Sequence, residues 1–417
     1  MTKQNIKITV KDGLCMGCGV CEDICPKHCI TIHKGKLNVP SVQDESCIDC
    51  GLCRKVCAGK GIEIEERTKG LFGETPHYHK MLGHYIKTYK GYSTEYENRC
   101  HCASGGCLSQ FLIWLLEKGE IDGAVVTGYA AENPMLPRVY IARNREEVLA
   151  GKSSKYCVVT MNGVAKEIHN TPGRYVVVGL PCHIHAFRKY SDVDKIVGER
   201  IIGYFSIFCS GNKNMDSQKY LLWRYGINEK EVASFAYRDN GCLGSMYFRN
   251  ENGDTLNRPI AYLDYFSGMR SFFSIPRCYV CTEFFGELAD IGFGDLNDGS
   301  KDDDPIGVNS LITRSPKWET LLTQCAKEGY LELSEISEEQ MIYANRFCLS
   351  KKGGSQQAAR TIRRITGLKN PSFDNLDSAK ASPKSYISYF VTMVMRFIGK
   401  HKMLWPVIKF LDKNKKY

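Results

Sequence analysis

Residues 15–26 read CMGCGVCEDICP and residues 47–58 read CIDCGLCRKVCA. Each run spaces its cysteines as C-x2-C-x2-C-x3-C, with Cys15, Cys18, Cys21 and Cys25 in the first and Cys47, Cys50, Cys53 and Cys57 in the second. Three thiolates this close on one loop wrap one face of a [4Fe–4S] cubane, while the fourth, a helical turn further on, points to a neighbouring cluster. The expected sets are therefore crossed: Cys15, Cys18, Cys21 and Cys57 around one cluster, and Cys47, Cys50, Cys53 and Cys25 around the other. Zinc, held by four ligands in a tetrahedron, has little use for such a triplet twice. The glycines inside each run let the backbone approach inorganic sulfide and aim N–H groups at it. Pro26 follows the first run, whereas Ala58 stands at the matching place of the second. A two-cluster ferredoxin domain over residues 1–66 is the expectation.

The composition agrees with that chemistry. Twenty cysteines in a chain that opens on the polar run MTKQNIKITV, without the apolar core of a secretory signal, read as metal ligands and free thiols of an intracellular, cytoplasmic protein. The formal charge of +10 is weak grounds for nucleic-acid binding, because each bound cubane with its four thiolates carries roughly −2, which leaves roughly +4 with three clusters. At 417 residues the chain exceeds one small domain, so two or three are expected.

Residues 67–98, rich in charge and glycine, read as a linker to the next domain. His77, His79 and His84 lie there without ligand spacing and read as surface or packing residues. From Ser104 the pattern turns α/β. Leu108, Phe111, Leu112, Leu115 and Leu116 recur at helical spacing, and Gly123–Thr127 reads as an apolar strand. Ser104 is the expected helix N-cap, and the Ser104-Gly105-Gly106 turn also offers a positive helix end where a phosphate can settle. Two further strands, 174–180 and 201–208, run straight into Pro181-Cys182 and Cys209-Ser210-Gly211. Both cysteines thus sit at carboxyl ends of strands, where open α/β sheets build their sites. With the pair Cys278 and Cys281 they make four donors, enough for a third cluster; Cys100, Cys102 and Cys107 are rival donors. Cys29, Cys157, Cys242, Cys325 and Cys348 are left as free thiols.

Together with the two cysteine runs, the segments SGG at 104–106, SSKY at 153–156, GLPCH at 179–183, FCSG at 208–211, RCYVC at 277–281 and ADIGFGD at 289–295 resemble the beta-subunit family of coenzyme F420-dependent hydrogenases and dehydrogenases, over most of the chain. The resemblance implies an α/β (α+β overall) architecture: the small ferredoxin domain, then an FAD-binding α/β domain over residues 99–350. It implies a third [4Fe–4S] cluster on Cys182, Cys209, Cys278 and Cys281 beside the flavin, and flavin contacts from Ser104, Gly105, Gly106 and Lys155. The implied activity passes electrons between a hydride carrier, coenzyme F420 or similar, at FAD and the clusters. Flavin is needed because a hydride donor gives two electrons and a cluster takes one. The implied partners are that carrier or a small-molecule substrate, and a redox partner protein or subunit.

A ferredoxin-driven reductase of a small molecule and a non-catalytic relay subunit are the alternatives. No G-x-G-x-x-G follows a strand, which argues against a nicotinamide-binding Rossmann domain, and no catalytic acid or base stands out. Residues 351–417 read as a basic C-terminal extension. Within it, Tyr386–Leu411 is interrupted by Arg396, Lys400, Lys402 and Pro406 and cannot span a bilayer. It reads as a helix packed on the protein, with a peripheral position on an anionic membrane surface as the alternative.

Overall fold

The computed structural model describes residues 4–296, 304–349, 354–376 and 380–413. In the N-terminal unit Ile6, Ile30, Ile32 and Val42 share a core with Cys21, Cys25, Cys29, Cys53 and Cys57, so sulfur fills much of the space that aliphatic side chains occupy elsewhere. A hairpin pairs Ile30–His33 with Val39–Val42. Gly19 and Gly51 adopt φ of 77° and 75° where they open the short helices Val20–Asp23 and Leu52–Lys55, a left-handed geometry that glycine takes without cost.

The larger unit is built on an eight-stranded sheet. Its strands are β1 (Lys87–Ser93), β2 (Gly123–Ala130), β3 (Asn133–Ala142), β4 (Tyr175–Gly179), β5 (Ile201–Ile207), β6 (Ile291–Asp295), β7 (Asn309–Thr313) and β8 (Leu331–Glu335). They lie in the order β8-β1-β7-β6-β5-β4-β2-β3. The inner strands β2, β4, β5 and β6 are parallel, and antiparallel pairs finish both margins. Every residue of β4 is buried, as a parallel strand covered on both faces requires. Alternation along the strands sorts the layers. Ala124, Val126, Val176 and Val178 meet helices α1 (Cys107–Glu117) and α3 (Pro316–Lys327). Val125 and Val177 face helix α2 (Pro181–Val193), together with Met16, Val20, Val56 and Ile62 of the N-terminal unit. A three-stranded sheet, Ser234–Asp239, Ser245–Arg249 and Ile260–Ala261, sits beside this body.

The three expected strands are present, shifted by a residue or more at their ends. One other expectation changes. Residues 67–98 are no linker, because β1 lies inside the sheet between β7 and β8. Its sequence KTYKGYS hides this: the buried positions are Thr88, Tyr89, Gly91 and Ser93, polar or small residues that carry no apolar signal. The C-terminal extension packs on the body, in keeping with the packed helix expected there. Helix α4 (Gly354–Ile365) lays Ala358 and Ala359 against Leu14 and Val280, and Ser372–Phe373 pairs in parallel with Gly61–Ile62, so residues far apart in the chain strap the N-terminal unit down.

The first cysteine run is built into the body and the second faces outward. A Cβ on Gly17 would stand 2.2 Å from the Leu37 carbonyl oxygen and 2.6 Å from Val158 Cγ2, and one on Gly19 2.2 Å from Thr160 Oγ1; one on Gly51 would meet nothing within 4 Å. Met161 N–H donates to the Cys18 carbonyl at 2.8 Å, and the Asp23 carboxylate accepts from the N–H groups of Gly163 (2.6 Å) and Ala165 (3.1 Å). Gly51→Ala, which carries only the left-handed penalty, is expected to cost about 1 kcal/mol. Gly17→Ala adds a backbone collision and is expected to cost about 3 kcal/mol and to speed proteolytic release of the N-terminal unit. Equal effects in anaerobic denaturation and limited proteolysis would contradict this docking.

Candidate functional site

The carboxyl ends of β4, β5 and β6 open on one edge. At the end of β4, Pro181 occupies the first position of α2, where its fixed φ suits a helix start and its missing N–H costs nothing; Cys182 follows. A Cβ on Gly179 would lie 2.7 Å from His183 Cβ, so glycine lets the turn close, and Leu180 N–H donates to His183 Nδ1 at 3.4 Å. Burial pushes the His183 imidazole down to about 4, so a neutral ring pins the turn. At the end of β5, Phe208 N–H donates to the Phe293 carbonyl (2.7 Å) and Cys209 N–H to that of Phe284 (3.0 Å). The Phe208 ring lies across β6, where a Cβ on Gly294 would approach it to 2.0 Å and one on Gly292 to 2.9 Å. The two glycines of ADIGFGD are therefore the seat of the ring that precedes Cys209.

Cys278 sits on the short 3-10 turn Pro276–Val280, accepting from Asn212 N–H at 3.4 Å, and Cys281 follows it. The Cys182 thiol is pushed well above the ordinary range, first by burial and then by the nearness of Cys209, Cys281, Cys278 and Cys18. Those four expected donors share one neighbourhood, and Cys18 of the N-terminal unit reaches into it. The rival donors lie elsewhere. Cys107 is fully buried on α1 with Cys325 and Cys102 as its thiol neighbours; Cys102 bonds to Asn98 and Ser109; Cys100 lies beside Tyr96.

The N-terminal thiols gather in two groups. Beyond burial, the groups raising Cys21 are Cys18, Cys57 and Cys15, then Cys53; those raising Cys53 are Cys50 and Cys25. Cys25, Cys47, Cys50 and Cys53 line one cavity with Asn5 and Ile48, and Cys50 and Ile48 are exposed. Cys29, read as a free thiol, lines the same cavity with its sulfur 3.4 Å from that of Cys25. Its position four residues past Cys25 was the available signal. Among the described residues no three His, Cys, Asp or Glu side chains close on a single metal ion.

Cations collect around the first set. Arg277, 3% exposed, donates to the carbonyls of Gly59 (3.1 Å) and Ala58 (3.3 Å). Lys189 donates to those of Cys57 and Gly61, and burial holds its ammonium down to about 8. Arg360 and Arg363 of α4 are also buried and donate to backbone carbonyls. Burial, then the charges of Arg277, Arg364 and Arg363, lowers Arg360 from the usual guanidinium range. Among the described residues none of Arg277, Lys189, Arg360 and Arg363 is bonded to a carboxylate. Buried Lys189 and Arg277, bonded to carbonyls at and just after Cys57, suit a bound cubane of net negative charge there. RCYVC displayed Arg277 in the sequence, but its role depends on a contact more than 200 residues away.

The residues expected to contact flavin lie on the same edge of the sheet. Ser104 is not the N-cap of α1; Gly106 is, at φ 75°. Ser104 Oγ donates to the Val308 carbonyl (2.7 Å), and Asn309 Oδ1 accepts from Cys107 N–H (2.9 Å), a cap contributed from β7 that local spacing cannot reveal. A Cβ on Gly105 would come within 2.7 Å of the Gly91 carbonyl oxygen. Lys155 donates to the carbonyls of Gly151 (2.7 Å), Lys152 (2.6 Å) and Ser153 (3.1 Å) and lies over the Tyr129 ring at the end of β2. Burial lowers its ammonium to about 7. Cys102 bridges the two segments, beside Ser109 of α1 and near Lys152, Lys155 and the Ser153 backbone. A buried ammonium whose bonded partners are carbonyls alone lacks a counter-charge, which a phosphate-bearing group would supply.

Family models for the N-terminal and C-terminal regions of the coenzyme F420 hydrogenase/dehydrogenase beta subunit match residues 88–166 and 173–339, more than half of the chain between them, and a 4Fe-4S dicluster domain matches residues 14–69. A coenzyme F420-dependent sulfite reductase of Methanocaldococcus jannaschii is 27% identical over 81% of this chain, which spans only 50% of that relative. The coenzyme F420 hydrogenase subunit beta of Methanosarcina barkeri is 23% identical over 62% of this chain and 84% of its own length. In fold, a chain of the F420-reducing [NiFe] hydrogenase complex from Methanosarcina barkeri superposes with a TM-score of 0.55 at 20% identity, over 71% of this chain and 99% of that one. The protein belongs to the coenzyme F420 hydrogenase/dehydrogenase beta-subunit family and carries a 4Fe–4S dicluster domain ahead of the family's two regions.

Proposed function

We propose that this chain passes electrons between a hydride carrier, coenzyme F420 or a close analogue, and an outside redox partner, with FAD at the strand-end edge and a third [4Fe–4S] cluster on Cys182, Cys209, Cys278 and Cys281. The observation that carries the reading is that Cys18 and Cys182 pack against one core and Cys18 is among the thiols that raise Cys182, so the sheet edge lies toward the first ferredoxin set, while the second set ends at exposed Cys50. When bound, flavin supplies the exchange between two-electron and one-electron chemistry and the clusters supply one-electron conduction. The protein's own residues hold the parts in place. Pro181 and His183 fix Cys182, Phe208 on its glycine seat fixes Cys209, and Arg277 ties the Cys278 turn to the backbone after Cys57. Lys155 and the Ser104–Gly106 turn hold the flavin's phosphates.

A donor test follows. Reconstituted protein mixed anaerobically with reduced coenzyme F420 is expected to lose flavin and cluster absorbance rapidly, with NADH inert and dithionite as the positive control. Bleaching by dithionite but by neither hydride donor would overturn the F420 reading and favour ferredoxin-driven reduction of a small molecule.

Lys155 gives a second test. With its ammonium held near 7 by burial, a phosphate must bind the protonated form, so FAD binding takes up a proton above pH 7. Apparent affinity should then fall by up to tenfold per pH unit as pH rises past 7. Lys155→Met is expected to weaken FAD binding at pH 6.5 and to flatten this dependence in flavin-release titrations. An unchanged profile in the variant would remove Lys155 from the phosphate site.

A further inference from the structure

The last two helices, α5 (Pro383–Lys400) and α6 (Trp405–Lys413), each have two apolar faces. The inner faces are spent on the body. Tyr389 packs with Leu14 and Val280, and Trp405 and Ile408 pack with Tyr220 and Phe273. A Cβ on Gly399 would stand 2.1 Å from the Phe272 carbonyl oxygen, and Asp412 is held by Arg224 and Ser267. The helical pair is therefore seated firmly on the protein, and its outer face belongs to something else.

On that outer face of α5, Ile387, Phe390, Val391, Val394 and Phe397 are 65%, 60%, 50%, 43% and 59% exposed. At 3.6 residues per turn they fall within an arc of about 120°, a continuous stripe. α6 adds Phe410, 67% exposed. A helix apolar on both sides needs a second apolar medium. Charge identifies which one. Lys384, Lys400, Lys402 and Lys409 are exposed at the ends of α5, in the connection and along α6. The acid among the described residues from 380 to 413 is Asp412, whose carboxylate is turned into the body with its side chain 4% exposed. Bulky apolar residues bordered by lysines without exposed acids complement an anionic lipid surface. No helix among the described residues is long and apolar enough to cross a membrane, which leaves the plane of the interface.

We propose that α5 and α6 form a docking face for an anionic lipid bilayer, with the Ile387–Phe397 stripe and Phe410 set into the headgroup–acyl boundary and the lysines on acidic headgroups. Both helices lie beyond residue 339, where the family match ends, so the face is additional to the redox body. Each lysine at the surface is expected to strengthen binding roughly fivefold, so adsorption should weaken steeply with salt.

The test is flotation of the full-length holoprotein with phosphatidylcholine–phosphatidylglycerol vesicles and with phosphatidylcholine vesicles. The variants are Phe390→Ser/Phe397→Ser/Phe410→Ser and, as a second arm that leaves the apolar stripe intact, Lys384→Glu/Lys400→Glu; cluster absorbance reports folding. The wild type should float with the anionic vesicles and at least about tenfold less with the neutral ones, and both variants should lose flotation while keeping their clusters. Three results would each overturn the proposal: a wild type that stays at the bottom of the gradient, variants that float like the wild type, or a wild-type dimer in vesicle-free solution that the serine variant dissociates, since the face would then join two copies.

Discussion

Met161 N–H meets the Cys18 carbonyl at 2.8 Å, and two glycines with no room for a Cβ bring the loop around it against Val158 and Thr160. That single approach puts Cys18 within electrostatic reach of Cys182. Electron transfer between buried centres depends steeply on their separation, so a side chain at Gly17 or Gly19 would disturb conduction before it disturbed ligation. The second run has no such constraint. Gly51 faces open space and Cys50 is exposed, which suits the end of a wire that must meet a partner. Two runs of the same spacing therefore have different neighbours and, in the proposed relay, different duties.

Charge organises the same junction. Four thiolates and a cubane bring about −2 into the interior, a costly burial without compensation. Arg277 and Lys189 bond to backbone carbonyls at and just after Cys57, leaving their charge available to a cluster there, and Arg360 and Arg363 stand near Arg277; these are the four buried cations of the junction. α4, which contributes two of the four, is also the strap across Leu14 and Val280. Holding the N-terminal unit down and balancing its charge are thus done by the same element.

Legibility followed the range of the interaction. The two cysteine runs were readable because each depends on short spacing, and the strand ends at Cys182 and Cys209 because apolar runs such as YVVVGL announce a strand and its end. The resemblance pointed to Cys278 and Cys281, which the fold brings beside them. β1 was hidden because its burial falls on Thr88, Tyr89, Gly91 and Ser93, and the cap of α1 because Asn309 comes from more than 200 residues away. Arg277 stood in plain view beside Cys278, yet its partners Ala58 and Gly59 belong to another domain. Glycines 292 and 294 read as a motif, and the Phe208 ring lying on both, with the Phe285 carbonyl at Gly292, explains why no larger residue fits.

The account rests on a single route from the sheet edge to the ferredoxin sets, and Cys182→Ala interrupts that route without touching the dicluster ligands. Anaerobic rapid mixing of this variant with the hydride donor that bleaches the wild type is the most direct measurement. The account predicts that flavin absorbance falls while the ferredoxin clusters stay oxidised until dithionite is added. Cluster bleaching by the hydride donor at the wild-type rate would contradict it.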